Sequence, residues 1–369
     1  MIKVKRGRVL RLAAPAMALL AAMAASSVFL LMIGQNPFTV FGTLIAFSLG
    51  RADSVAALMF NATPLIFSGL ALVVGLKAGL FNIGVEGQYL VGAFCAAWVS
   101  FGLSGLPPYV HLPLAVAAAM LGAMLWAFIP AYLKLRRGVH EVISTIMLNY
   151  VALSLLHYLV ADLFMDRAQN IPGGLASPLI RTPLFAETAL APKMHGFFQL
   201  LGLEIPDYIS LNWFFALALL TAAALYYFLW FTPLGFELRA IGLSPAAAES
   251  AGIRTNSLQM KAFLLSGALA GLVGLSHLLG YYDSFDLDFP KGYGFGGIAV
   301  ALMANNHPLG LVPAALLFGL LNRGAEGVQT YLAVPMELTV ILQGFVILSI
   351  SVTLKWVDRI AAREDRKEA

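Results

Sequence analysis

The sequence predicts an all-α polytopic membrane protein of about ten transmembrane helices, and three observations carry that prediction. Of 369 residues, 60% are hydrophobic and 11% charged, against roughly half and a quarter in soluble globular chains. Apolar runs near or above the ~20 residues that cross ~30 Å of hydrocarbon recur along the whole length. The lysines and arginines segregate to one side of those runs. No stretch leaves room for a separate soluble domain, so residues 1–369 are expected to form one transmembrane domain.

The first run, 10–34, follows a short cationic arm, 1–9. It continues about eight residues past the small-residue stretch at 22–26, longer than the ~7–15 residues of a signal h-region, and so reads as an uncleaved span. Runs at 54–76, 81–102, 112–133 and 142–163 complete a first set of five. The segment 164–210, with its prolines and Ile171-Pro172-Gly173-Gly174, has no clear periodicity and reads as a lid or docking surface on the outer side. A second set of five occupies 211–231, 257–281, 296–305, 309–321 and 335–354, with a tail at 355–369. Five spans on each side of the long loop make the second set enter with opposite orientation, the arithmetic of an inverted repeat.

Threading these spans from a cytoplasmic N-terminus places Arg51, Arg167, Arg181, Lys193, Lys291 and Arg323 outside. The remaining 17 of the 23 lysines and arginines lie on the cytoplasmic side, the asymmetry expected of cytoplasmic loops. Both termini are therefore expected in the cytoplasm. The pI near 9.1 needs no nucleic acid, because its cations lie where anionic headgroups favour them. The lone cysteine, Cys95, cannot form an internal disulfide and reads as a small buried residue.

Two glycine-rich polar stretches break the helical pattern, Gly75 to Gln88 and Phe289 to Ile298, the second leading to Asn305-Asn306-His307-Pro308. The run 296–305 is about half the spanning length. Irregular backbone at that depth is tolerated only against protein or a wet cavity, and paired breaks in two halves point to a transport pathway. Within them Glu86 is the acid set deepest in an apolar run. It either lines a route, braces a broken helix with Asn82 and the nearby glycines, or sits at the headgroups; bracing takes the largest share. Asn82, Glu86, Gln88, Asn149, Tyr293 and Phe295 are the pathway candidates, although interhelical bonding is the commoner role for an amide such as Asn149.

Enzyme readings fail on spacing. His140-Glu141-Val142-Ile143-Ser144 has serine where a zinc-protease helix needs its second histidine. Neighbours such as Ser276 and His277 point about 100° apart on a helix, so that pair reads as packing. No catalytic residue and no metal site is assigned. No phosphate-binding loop of the Gly-x-x-x-x-Gly-Lys-Ser/Thr type occurs, so any ATP-driven work requires another subunit.

The polar interruption 235–253 reads as a docking handle. Ser244 can cap a short helix, Pro245 suits its first turn, Ala246 to Ala248 favour helix and Gly252 can end it. Glu237, Arg239 and Glu249 would set orientation at the rim. The competing reading is an amphipathic loop lying on headgroups.

The pattern Gly235…Arg239-Ala240-x-Gly242…Ala246-Ala247…Gly252-Ile253 resembles the coupling loop of the permease subunits of bacterial ABC importers, the family of branched-chain amino acid, ribose and nucleoside permeases. Gly79 to Gln88, Glu141 to Tyr150, and Gly292 to Leu302 with Pro308-Leu309-Gly310 are similar to its nucleoside and simple-sugar branch. The resemblance covers about 54–354. It implies a multi-pass permease of the bacterial plasma (inner) membrane, moving nucleosides or simple sugars by alternating access. The partners it implies are an ABC ATPase, a second and usually shorter permease chain, and an extracytoplasmic substrate-binding protein. ATP and Mg would sit on the ATPase, with no cofactor on this chain. Residues 235–253 would be pulled by the ATPase, and Arg137, His140 and Glu141 would offer a second contact. The alternative is an ion-coupled secondary transporter working without an ATPase, for which Glu86 is the one strong coupling acid; an intramembrane enzyme ranks behind both.

Overall fold

The computed structural model describes residues 6–167, 179–200, 202, 206, 208–335, 340–346, 348, 349, 352, 353, 356, 357, 359 and 360, with side chains from residue 17. The described chain is 76% helix, and two isolated β-bridges are its only extended pairings. Its α-helices include α1 (Arg6–Met32), α2 (Pro37–Leu49), α3 (Ala52–Lys77), α4 (Val85–Gly102), α5 (Pro108–Arg137), α6 (Glu141–Tyr158), α7 (His195–Leu200), α8 (Phe214–Phe231), α9 (Pro233–Leu243), α10 (Pro245–Ser250), α11 (Thr255–Ala270), α12 (Leu275–Leu278), α13 (Tyr293–Met303) and α14 (Pro308–Leu332), and residues 340–346 are helical as well. A π-helical turn, Leu159–Leu163, extends α6.

Among the described residues six helical segments are long and apolar enough to cross a membrane: α3, α5, α6 with its π turn, α8, α11 with α12, and α14. α1 and α2 pass the same test only together, bent by 119°. The helix α2 was not among the expected spans. Asn36 caps it by accepting from Phe38 N–H, and Pro37 fixes its first turn. α14 runs to Leu332, eleven residues past the expected end, because Arg323 and Glu326 pair one turn apart on it instead of ending it. The expected run 257–281 breaks after Ala270, at a turn that holds Gly271 and Gly274.

The chain forms two compact units, residues 1–58 with 316–369, and residues 59–315. In the first, Leu30, Val40, Leu44, Val328, Val334 and Leu342 make a core. Gly324 and Gly327 leave room for Leu44 and Phe47 of α2, and Ser48 donates to Leu320 O at 2.9 Å. Small residues at helix contacts allow this close approach.

The second unit is built on α3, whose most apolar stretch is 83% buried, against 22% for α5. A helix apolar on every side can be enclosed by other helices as readily as by lipid. α5 offers its neighbours one stripe, Ala115, Ala119, Ala123 and Ala127, all fully buried. Gly92 of α4 and Gly271 both meet the carbonyl of Ala119, where an added Cβ would lie 2.7 and 2.5 Å from that oxygen. α4, α5 and α11 are thereby packed backbone to backbone.

The described part of the 164–210 segment is pinned down. Thr182 N–H donates to Phe285 O at 2.9 Å, Phe185 N–H to Asp283 O at 2.7 Å, Ala186 N–H to Ser100 O at 3.0 Å and Ala191 N–H to Leu279 O at 2.7 Å. His111 Nδ1 bonds Thr188 Oγ1 at 2.8 Å. These bonds favour a fixed surface over a lid. The Pro172-Gly173-Gly174 stretch, most of the cationic arm and most of the tail lie outside the described residues.

Candidate functional site

Two helix N-termini meet at the glycine-rich breaks. The chain leaves α3, turns through Gly79 at φ +72° and enters α4 with Glu86 in its first turn. α13 begins at Gly292, φ +96°, which has no side chain to cap the helix. Glu86 does so from α4: its Oε1 accepts from Gly292 N–H at 2.6 Å and its Oε2 from Gly294 N–H at 2.9 Å. The Tyr89 hydroxyl donates to Pro290 O at 2.7 Å and lies 3.3 Å from Glu86 Oε1. Unpaired N–H groups at a helix start favour a carboxylate, and Glu86, 4% exposed and standing in the first turn of α4, supplies one to the start of α13. A Cβ on Gly294 would stand 2.6 Å from Glu86 Cα, so glycine is required for the approach. The geometry matches bracing among the three readings of Glu86.

The amides are engaged in the same way. Asn82 and Gln88 exchange side-chain hydrogen bonds at 2.9 and 3.0 Å, and Asn82 also donates to Ser266 Oγ, which donates to Ala71 O. Asn82 Oδ1 accepts from Gly84 N–H as well. Asn149 of α6 accepts from Gly87 N–H at 2.9 Å and donates to Ile83 O at 3.1 Å. All three are buried. Of the pathway candidates, Tyr293 is half-buried and Phe295 exposed, both in the first turn of α13.

Beside them stands a group that sequence reasoning set aside. His277 Nε2 bonds Tyr293 OH at 3.1 Å, its Nδ1 bonds Ser276 Oγ at 3.2 Å, and its ring lies 4.2 Å from that of Phe60. Ser276 and His277 therefore do touch, contrary to the expectation from helical spacing. Both lie in the four-residue helix α12, where adjacent side chains can bend towards each other. The only sequence signal was a histidine inside an apolar run.

The handle is two capped helices. Thr232 accepts from Gly235 N–H at 3.1 Å and opens α9; Ser244 ends α9 and accepts from Ala247 N–H at 3.3 Å to open α10. Gly252, φ +86°, closes α10, with Ile253 N–H returned to Ala248 O at 3.0 Å. Gly235 and Gly242 are packing residues. Gly235 lies against Leu229, and a Cβ on Gly242 would run into the carbonyl of Lys77, which welds α9 to the turn that precedes α4. Glu237, Arg239 and Ala240 are half-buried, whereas Ala246, Ala247, Glu249 and Gly252 are exposed. Leu243, 89% exposed at the joint of the two helices, is the apolar tip that sequence reasoning missed.

Arg239 does not stand at the rim. Its guanidinium lies 5.3 Å from the Trp230 ring, over which Lys77 Nζ also sits at 5.5 Å. His307 is 5.2 Å from the same ring, and burial first and Lys77 second hold its imidazole below the usual range. In the second expected contact, Glu141 is committed to Lys134 at 2.7 Å and His140 accepts from Val142 N–H, while Arg137 and His140 remain exposed.

Residues 54–351 match the model of the family described as branched-chain amino acid transport system, permease component. The chain is 36% identical over 345 residues to the guanosine ABC transporter permease protein NupP of Bacillus subtilis, covering 93% of this chain and 94% of that one. It is 34% identical over 334 residues to the glucose ABC transporter permease protein TsgB13 of Haloferax volcanii, covering 90% and 85%. Identity to the nucleoside ABC transporter permease protein NupB of Lactococcus lactis is 31% over 339 residues, covering 92% and 90%.

Proposed function

The chain belongs to the branched-chain amino acid transport system permease family and is a membrane permease subunit of an ABC importer, and from that premise we propose that its cargo is a nucleoside, with a simple sugar as the second choice. The cargo reading is supported by the guanosine and nucleoside permeases among its relatives, and the sugar reading by the glucose permease.

The observation that carries the mechanism is the weld between Gly242 and the backbone of Lys77 to Gly79. A partner ATPase, holding ATP and Mg, docks on the tip formed by Leu243, Ala246, Ala247 and Gly252. Its closure pulls α9, which carries the 77–84 turn with it. That turn holds the start of α4 through Asn82, Gly84 and Gln88, and Glu86 passes the displacement to the start of α13, where Tyr293 and Phe295 face the route. A chain of packed and hydrogen-bonded groups with two arrangements is what such coupling needs. No covalent chemistry takes place on this chain.

In this reading about ten spans form two inverted five-helix halves, with α4 and α13 the third span of each. Both termini and the handle lie on the cytoplasmic side of the bacterial plasma membrane. A second, shorter permease chain completes the pathway, and an extracytoplasmic binding protein delivers cargo to the surface around 179–192. Arg137 and His140 form a secondary ATPase contact.

Uptake of labelled guanosine, ribose and leucine by cells expressing the complete transporter tests the cargo. Guanosine uptake that requires ATP is the expected result, and uptake of leucine alone overturns it.

A further inference from the structure

Lys77 and Arg239 share one indole ring and carry no ion pair with a carboxylate among the described residues. Their like charges lie over the same ring, and half-buried like charges are costly without a counter-charge. Cation–π contact with Trp230 offsets part of that cost. The third member, His307, accepts from Gly310 N–H on Nδ1 at 3.3 Å, so Nε2 carries its proton and remains a donor. The cluster is therefore two cations and a neutral donor set on an aromatic floor.

Its place fixes what can neutralise it. Lys77 ends one candidate span, α3, and Trp230 lies next to the end of another, α8. Tyr226 stacks on Trp230 at 5.3 Å, and Tyr227, Phe231 and Phe236, close to it in sequence, are exposed. Aromatic rings and cations at the end of a span mark the headgroup level of a bilayer. We propose that Lys77, Arg239, Trp230 and His307 form a binding site for the phosphate of an anionic phospholipid. A planar guanidinium and a compact ammonium together suit a phosphodiester with net negative charge. The inference goes beyond the coupling reading and is independent of the cargo.

The test uses the assembled transporter, delipidated and returned to phosphatidylcholine nanodiscs with or without phosphatidylglycerol, and native mass spectrometry of retained lipid. Wild type is expected to keep phosphatidylglycerol in preference to phosphatidylcholine. Lys77→Gln and Arg239→Gln should each keep about fivefold less, and Lys77→Arg should keep it as wild type does. Equal retention in wild type and both glutamine variants overturns the site. So does displacement of the lipid by inorganic phosphate, which makes a soluble anion the occupant, or its exclusion when the ATPase is bound, which gives the cations to the ATPase. Guanosine uptake is read separately: lost uptake with retained lipid faults the transport reading and leaves this one standing.

Discussion

Glu86 and Gly294 are joined by a 2.9 Å carboxylate-to-amide hydrogen bond across 208 residues of chain. The bond ties the first broken helix to the second, and it makes Glu86 a brace whose loss is felt as stability. Glu86→Gln retains one acceptor oxygen and turns an NH2 towards a backbone N–H, which should cost about 1.5–3 kcal/mol, since a hydrogen bond to a charged group is worth that much. Thermal unfolding of the purified protein should show a lowered midpoint for Glu86→Gln and a lower one for Glu86→Ala. A normal midpoint with an altered uptake KM would instead make Glu86 a cargo contact.

Gly294→Ala tests the same junction from the other side. The added methyl would lie 2.6 Å from Glu86 Cα and 2.8 Å from its carboxylate oxygen, so α13 must shift and weaken both bonds. Overpacking of this kind costs roughly 1–3 kcal/mol. Gly344→Ala, where nothing lies within 4 Å, is the matched control and should leave the unfolding midpoint where it is.

Phe295 offers a test of cargo. A nucleobase stacked on an aromatic ring gains about 1–3 kcal/mol, so Phe295→Ala should raise the KM for guanosine at least fivefold and leave that for ribose unchanged. Equal effects on both would assign Phe295 to packing, and no effect on either would remove it from the pathway.

Much of this was legible because apolar length and caps are local signals. The capping residues Ser244 and Pro245, and the terminating Gly252, mark α10 from sequence alone. The breaks at Gly75 to Gln88 and Phe289 to Ile298 were visible as glycine clusters, but their joining through Glu86 was not, since nothing local relates two residues 208 positions apart. α2 goes unread although runs as short are taken as spans, because no local signal gives the 119° bend that sets it off from α1. Leu243 goes unread because a leucine two positions after Ile241 looks like core until the fold exposes it. The sequence places Arg239 at a charged rim, and only the position of Trp230 shows where its guanidinium goes.

The handle separates docking from transmission. Leu243 projects from the joint of α9 and α10, and a large apolar side chain 89% exposed on a rigid two-helix support is suited to anchor in a partner's groove. Leu243→Asp would bury a charge there, so ATPase pull-down should fall at least tenfold, as expected when an interface anchor worth 2 kcal/mol or more is lost. Gly242→Ala acts elsewhere: the methyl would meet the backbone at Lys77 and pry α9 from the turn that leads to α4, leaving the tip intact. It should keep most of the ATPase association while uptake falls. If both variants lose association together, α9 and its tip act as one docking surface and Gly242 does not belong to a separate transmission step.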